Sequence, residues 1–147
     1  MFKSDTLEIK ELEIDELEQA FPVISQLRPH LNFKSYLEIV KTMKTSGYTV
    51  ACLFEGKNIV SYIGYANLTN LYNGSHVWVY DLVTDESKRG NGYGKLLLDY
   101  VEKWAEKNKI SCVVLSSGLQ RTTAHKFYEK GMSYSKTSYV FKKEITT

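Results

Sequence analysis

Three glycines at alternate positions, Gly90, Gly92 and Gly94, separate an apolar run from a run with helical periodicity. The stretch reads Leu82-Val83-Thr84-Asp85-Glu86-Ser87-Lys88-Arg89-Gly90-Asn91-Gly92-Tyr93-Gly94-Lys95, which predicts strand, loop and helix in that order. A chain with this junction must bring the end of a strand directly to the start of a helix, so it folds as a sheet layered with helices. The first turn of a helix has free N–H groups and the positive end of the backbone dipole. Glycines there let the backbone approach a ligand without Cβ atoms in the way. Lys88, Arg89 and Lys95 add positive charge, and together these features suit a pyrophosphate. The alternative is a plain turn whose glycines serve only to start the helix. Two other phosphate-binding patterns do not fit. The spacing 90, 92, 94 is not Gly-x-Gly-x-x-Gly, and there is no Gly-x-x-x-x-Gly-Lys-Ser/Thr.

The rest of the chain supplies the layers. Residues 6–13 alternate, with Leu7 and Ile9 against Glu8 and Lys10, and predict a half-buried strand. Asp15, with Glu18 three residues on, has the pattern of a helix cap. Leu17, Phe21, Ile24 and Leu27 follow at helical spacing; Pro22 predicts a kink or division of that helix and Pro29 its end. Asn32 caps a second helix with Tyr36, Ile39, Val40 and Met43 on one face, stopped by Gly47. Strands at 48–54 and 59–67 flank a hairpin signal at 55–58. Asn73-Gly74 suits the left-handed angles of a type I′ turn and leads into a strand at about 76–84. A helix over about 92–108 carries Leu97, Leu98, Val101, Trp104 and Ala105 on one face. A buried strand at 112–116, a short helix at 122–130 ended by Gly131, and one or two final strands at Tyr134 and 139–143 complete the pattern. The order β-α-α-β-β-β-α-β-α-β, with room for a last β, predicts an α/β (α+β) chain with one mixed central sheet flanked by helices. With no repeat or linker, residues 1–147 read as a single domain.

Composition narrows the function. At 43% hydrophobic residues and 24% charged, the chain can bury its own core. A net charge of +2 argues against a general nucleic-acid-binding surface. Acids dominate residues 1–20 and bases residues 121–147, so the basic end either attracts a polyanionic small ligand or forms a solvated surface. Cys52 and Cys112 lie in apolar runs and are expected as buried, reduced thiols, with no metal-binding spacing. No apolar signal segment opens the sequence and no stretch approaches a membrane span, so a cytoplasmic protein, monomer or homodimer, is expected.

The motif Arg89-Gly90-Asn91-Gly92-Tyr93-Gly94 resembles the Gln/Arg-x-x-Gly-x-Gly/Ala signature of the GNAT acetyltransferases. A second segment, Ala124-His125-Lys126-Phe127-Tyr128-Glu129-Lys130-Gly131-Met132, resembles that family's Ala-x-x-Phe-Tyr-x-x-x-Gly-Phe run. Together with the strand order, the resemblance covers nearly the whole chain. It implies an acetyl-CoA-dependent N-acetyltransferase of GNAT fold, with acetyl-CoA as co-substrate and an amine as acceptor. It further implies that Gly90, Asn91, Gly92, Tyr93, Gly94 and Lys95, with Arg89, hold the pyrophosphate. Leu82, Val83 and Thr84 would pair with the pantetheine arm beside a bulge. A backbone N–H there would polarise the thioester carbonyl. Tyr128 falls at the family's tyrosine near the coenzyme sulfur, as acid to the departing thiolate; a core aromatic is the other role open to it. Arg121 stands where many members have Asn, and binds a phosphate or the substrate, or is a surface residue.

The general base is not evident. Asp81 is the only carboxylate on the strand 76–82 and is the candidate. Strict alternation places it on the face opposite Trp78, Tyr80 and Leu82, unless a bulge turns it. A structural role, accepting backbone or tyrosine hydrogen bonds, competes with that of base, and the three histidines read as ordinary surface or turn residues. The acceptor site is expected among the two N-terminal helices and their junction (27–33), the hairpin at 70–72 and the last strands. Phe33, Tyr36, Tyr62, Tyr65, Tyr72, Trp78 and Tyr80 are available either to line it or to fill the core. Two functions follow: direct acetyl transfer to a primary amine in a ternary complex, or a non-catalytic acyl-CoA-binding module of the same fold.

Overall fold

The computed structural model describes residues 6–145. The chain divides into two compact units, one ending at Leu115 and one beginning at Ser116.

The first unit is built on a five-stranded sheet in the order β1-β2-β3-β4-β5. Strands β1 (Leu7–Glu11), β2 (Thr49–Glu55), β3 (Asn58–Asn70) and β4 (Gly74–Thr84) form an antiparallel meander, and β5 (Val113–Leu115) lies parallel to β4. Helices α1 (Leu17–Leu27) and α2 (Phe33–Lys44) come between β1 and β2, and α3 (Tyr93–Lys107) makes the crossover that a parallel strand requires. The expected mixed sheet with helices is therefore present. One core cluster joins Leu17, Ala20, Val23 and Ile24 of α1 and Tyr36 and Val40 of α2 to Val50, Cys52, Tyr62 and Val83 of the sheet. Of the expected inner face of α3, Leu97, Leu98, Val101 and Ala105 are buried, and Trp104 is half-buried with its ring 5.7 Å from that of Tyr65.

Local details depart from expectation for identifiable reasons. The first helical segment is capped two residues early: Glu13 and Glu16 form the reciprocal capping box, and a 3-10 turn (Ile14–Glu16) precedes α1, so Asp15 is not the cap. Helix α1 runs through Pro22 undivided, because the carbonyl left without a partner belongs to Glu18 on an exposed face. Asn32 does cap α2, accepting from the Ser35 N–H at 2.8 Å. The β3–β4 turn is not type I′: Asn73 keeps a negative φ and only Gly74 is left-handed, at φ +68°, while Asn70 Oδ1 accepts the Asn73 N–H at 2.6 Å. Cys52 is buried, but Cys112 is only half-buried, since it precedes β5 rather than lying in it.

The second unit contains α4 (Thr122–Lys126), which continues into a π turn (Phe127–Gly131) closed by the Met132 N–H on the Phe127 carbonyl at 3.0 Å. The strands expected at Tyr134 and 139–143 are not formed among the described residues. Tyr139, Val140 and Phe141 are exposed, and a β-prone sequence without a paired neighbour has nothing to hold it extended.

Candidate active site

The glycine loop is pinned at its ends and open in its middle. After β4, Asp85 donates its N–H to the Val60 carbonyl at 2.8 Å. Gln26 of α1 grips the next step: its Nε2 donates to Asp85 Oδ1 at 2.6 Å and its Oε1 accepts the Glu86 N–H at 2.9 Å. Ser87 donates to the other oxygen of Asp85, and these two side-chain bonds, from Ser87 and then Gln26, lower that carboxyl's pKa. At the end of β2, Glu55 takes a hydrogen bond from Lys88 Nζ on one oxygen at 2.8 Å and from the Tyr93 hydroxyl on the other at 2.6 Å. Lys88, then Tyr93, hold the Glu55 carboxyl below its ordinary pKa, and Glu55 in turn raises that of Tyr93. Glu55 thus ties both sides of the loop to the sheet. Tyr93, read as a ligand-binding position, has its hydroxyl committed to this brace.

Between these anchors, Gly90 and Gly92 adopt φ +84° and +78°. A Cβ at either would meet nothing within 4 Å, so the glycines are required by backbone angle and face open space. Gly92 is the N-cap of α3 and supplies no side-chain acceptor; the first backbone bond of the helix is Leu96 N–H to Gly92 O. The N–H groups of Tyr93, Gly94 and Lys95 therefore present the helix's positive end unopposed. Asn91 braces the loop through Nδ2 on the Lys88 carbonyl at 2.8 Å. Arg89 Nε donates to the Thr84 carbonyl at 3.2 Å, and Lys95 pairs with Asp99 at 3.1 Å. These features fit an anionic, phosphate-bearing group.

Strand β4 carries a bulge at the position that matters for Asp81. Gly64 pairs with Asp81 but Tyr65 pairs with Val79, leaving Tyr80 as the extra residue. Tyr80 and Asp81, neighbours in sequence, consequently both line one pocket of about 320 Å³ with Arg28, Tyr36 and the apolar side chains of α1 and α2. Alternation without the bulge would have sent them to opposite faces. Beyond Val79, β5 no longer pairs with β4, so Leu82, Val83 and Thr84 lie past the end of that ladder.

Asp81 is held from two sides. Arg28, the C-cap of α1, donates Nε to Oδ1 at 2.9 Å, brings Nη2 to 2.9 Å of the same oxygen, and donates Nη2 to the Tyr80 carbonyl at 3.1 Å. Tyr48 donates its hydroxyl to Oδ2 at 2.7 Å. A phenol has one proton, so the Tyr48–Tyr62 bond (3.0 Å) must run from Tyr62, and the Tyr62–Tyr36 bond (2.8 Å) from Tyr36. The chain Tyr36→Tyr62→Tyr48→Asp81 is polarised throughout toward the carboxylate. Burial raises the pKa of all three phenols, and for Tyr48 the Asp81 charge adds to it, so all three stay protonated at neutral pH. Tyr48 reaches Asp81 by crossing Gly64, where an added Cβ would fall 1.9 Å from its hydroxyl.

Of the aromatics named for the acceptor site, Tyr36 and Tyr80 line this pocket. Tyr62 and Tyr65 are core, and Tyr72 is exposed at the β3–β4 turn. Sequence reasoning did not single out Arg28, Tyr48 or Glu55. Their partners lie 53, 33 and 38 residues away, and only Arg28 stood in a segment already named for the site.

In the second unit Tyr128 is buried, with ring contacts to Phe127 at 5.3 Å and Tyr134 at 6.1 Å. Burial raises its pKa and the nearby Arg121 charge partly offsets this. Arg121 is exposed at the start of α4, where its carbonyl accepts the His125 N–H at 3.1 Å and its side chain makes no capping bond.

Sequence comparison decides the family. The profile of the Acetyltransferase (GNAT) family matches residues 8–134. The chain belongs to the GNAT family. A curated relative, the uncharacterized N-acetyltransferase YhdJ of Bacillus subtilis (strain 168), is 37% identical over 132 residues, 89% of this chain and 93% of its own. The aminoglycoside N-acetyltransferase AAC(6')-Iy, solved in complex with CoA, superposes with a TM-score of 0.86 at 14% identity, covering 100% of this GNAT chain and 99% of its own. A transcriptional regulator from Bacillus halodurans C-125 superposes with a TM-score of 0.82 at 20% identity, covering 95% and 100%. Likeness at such low identity establishes the GNAT fold alone, and proteins with these different names share it.

Proposed function

We propose that this GNAT protein transfers the acetyl group of acetyl-CoA to a primary amine bound in the pocket at Arg28, Tyr80 and Asp81. The observation that carries this is the bulge in β4. It sets Asp81 into the pocket, while the next residues of the same strand run past the end of β5 toward the uncapped start of α3. Donor and acceptor are thereby brought to one short stretch of backbone. The loop from Arg89 to Lys95 holds the pyrophosphate and Leu82, Val83 and Thr84 hold the pantetheine arm; the open N–H groups at the start of α3 support the first, and the CoA complex of a structural relative supports coenzyme binding by this fold.

The neutral amine nitrogen attacks the thioester carbonyl carbon. A C–N bond forms, the C–S bond breaks, and sulfur leaves with the electron pair as a thiolate, which takes up a proton. The acceptor's ammonium gives up one proton before attack and the second as the amide forms. Asp81 already accepts from Arg28 and Tyr48, so it orients the ammonium more readily than it removes a proton, and water in the open pocket carries that proton away. Tyr128 is the proposed partner of the thiolate. Its raised pKa makes it a firm hydrogen-bond donor rather than a ready source of a proton.

The test is release of thiol from acetyl-CoA with a panel of amines. Turnover with at least one primary amine is expected. Tight coenzyme binding with no turnover on any acceptor would make the chain a binding module instead.

A further inference from the structure

Resting on that transfer reading, we propose that the acceptor is a small zwitterion, a free amino acid with an apolar side chain, held by the Arg28–Asp81 ion pair. The pocket is small: about 320 Å³ lies at the lower end for small-molecule sites and suits one amino-acid-sized molecule. Its walls are Ile24, Leu31, Ile39, Val40 and Met43 from the two helices and their junction, with two aromatic rings, Tyr36 and Tyr80. Its charges come from one ion pair, Arg28 with Asp81, and His30 adds a polar group.

That pair selects by charge pattern. Asp81 is largely covered while the Arg28 side chain is 40% exposed, and Arg28 Nη1 makes no hydrogen bond among the described residues. A plain cationic amine brought to Asp81 meets a carboxylate already neutralised by a guanidinium 2.9 Å away, and is repelled by that guanidinium. A zwitterion does not meet this penalty. Its ammonium faces Asp81, its carboxylate takes the open Nη1 edge of Arg28, and the two dipoles lie antiparallel. Polycations meet the repulsion with every added charge and lack an acidic cluster to offset it. An internal lysine of a protein brings no carboxylate for Arg28.

The experiment compares L-leucine, L-methionine and L-phenylalanine with their carboxamides and with an aminoglycoside, reading kcat/KM by thiol release from acetyl-CoA. At least one amino acid is expected to exceed its amide by about tenfold or more. The amide's amine is the less basic and thus the more often neutral near pH 7, so that preference runs against the supply of free amine. Arg28→Met is expected to lower kcat/KM for the amino acid by about tenfold and for the amide far less, collapsing the ratio. Amides or the aminoglycoside used as well as the amino acids, or equal losses in Arg28→Met, overturn the zwitterion assignment and leave acetyl transfer standing. If Arg28→Met does not fold, the acid-to-amide ratio of the unaltered protein decides alone. No turnover on any acceptor, with acetyl-CoA bound, removes the transfer reading and this proposal with it.

Discussion

Replacing Gly64 by alanine tests whether the hydroxyl chain behind the pocket is built as described. The substitution ought to be mild, because glycine in a strand interior is a liability and Gly→Ala usually adds roughly 0.4–1 kcal/mol of stability where the backbone accepts it. The structure reverses the sign. The new Cβ would stand 1.9 Å from the Tyr48 hydroxyl, 2.5 Å from Cζ and 2.7 Å from Cε1, where ordinary contact begins at 3.4 Å. Tyr48 is buried, with its ring against Tyr80 at 5.5 Å, so it has no room to swing aside. Forced overpacking costs roughly 1–3 kcal/mol, and losing a hydrogen bond to a charged acceptor roughly 1.5–3 kcal/mol. The sum is about 2.5–6 kcal/mol, or a fall in Tm of roughly 5–24 °C for a chain of this size. Thermal unfolding followed by far-UV circular dichroism measures it. Tyr48→Leu removes the clashing ring, so the double variant should lose clearly less than the two single losses added together. A Gly64→Ala protein as stable as the parent, or strictly additive losses, would refute the reasoning.

Three further outcomes are expected. Gly92→Glu should lower stability by only about 1–2 kcal/mol, the cost of a side chain at positive φ, yet abolish the heat of coenzyme titration; unchanged affinity in the folded variant would count against the loop. Tyr128→Phe should cut turnover on the order of 10²-fold while leaving coenzyme affinity close to that of the parent, and a normal rate would remove Tyr128 from the chemistry. Glu55 has its folded pKa depressed, so its contribution is present above the unfolded value near 4.5 and is lost as pH falls through the lower folded value. The Tm gap between the parent and Glu55→Gln should therefore shrink on acidification below about pH 4.5; a gap indifferent to acid, or one closing only above neutrality, would contradict the brace.

What could be read from sequence was the part of the molecule governed by local chemistry. The strand–loop–helix junction at 82–95, the Asn32 cap and the buried face of α3 each depend on residues a few positions apart, and each was found near where it was expected. The final strands were misread because the β-prone run Tyr139-Val140-Phe141 reports a propensity, while a strand needs a partner that sequence does not supply. The cap at Glu13 was missed because the acid-rich run offers several adjacent carboxylates with the same spacing. At the site, the loop and the helical junction beside the pocket were legible, and the partners that hold the pocket's charges were not. Arg28, Tyr48 and Glu55 act through partners dozens of residues away, and the face of Asp81 turned on one unpaired residue that no periodicity reveals.

That unpaired residue makes the pocket sensitive to the length of β4. Excising Tyr80 would change the composition by a single aromatic and leave a straighter, more regular ladder. The pairs Gly64–Asp81 and Tyr65–Val79 would then follow one another directly, so Asp81 would keep its face while the pocket lost the Tyr80 ring. The chain keeps an irregularity in its sheet, and with it an aromatic wall for the pocket.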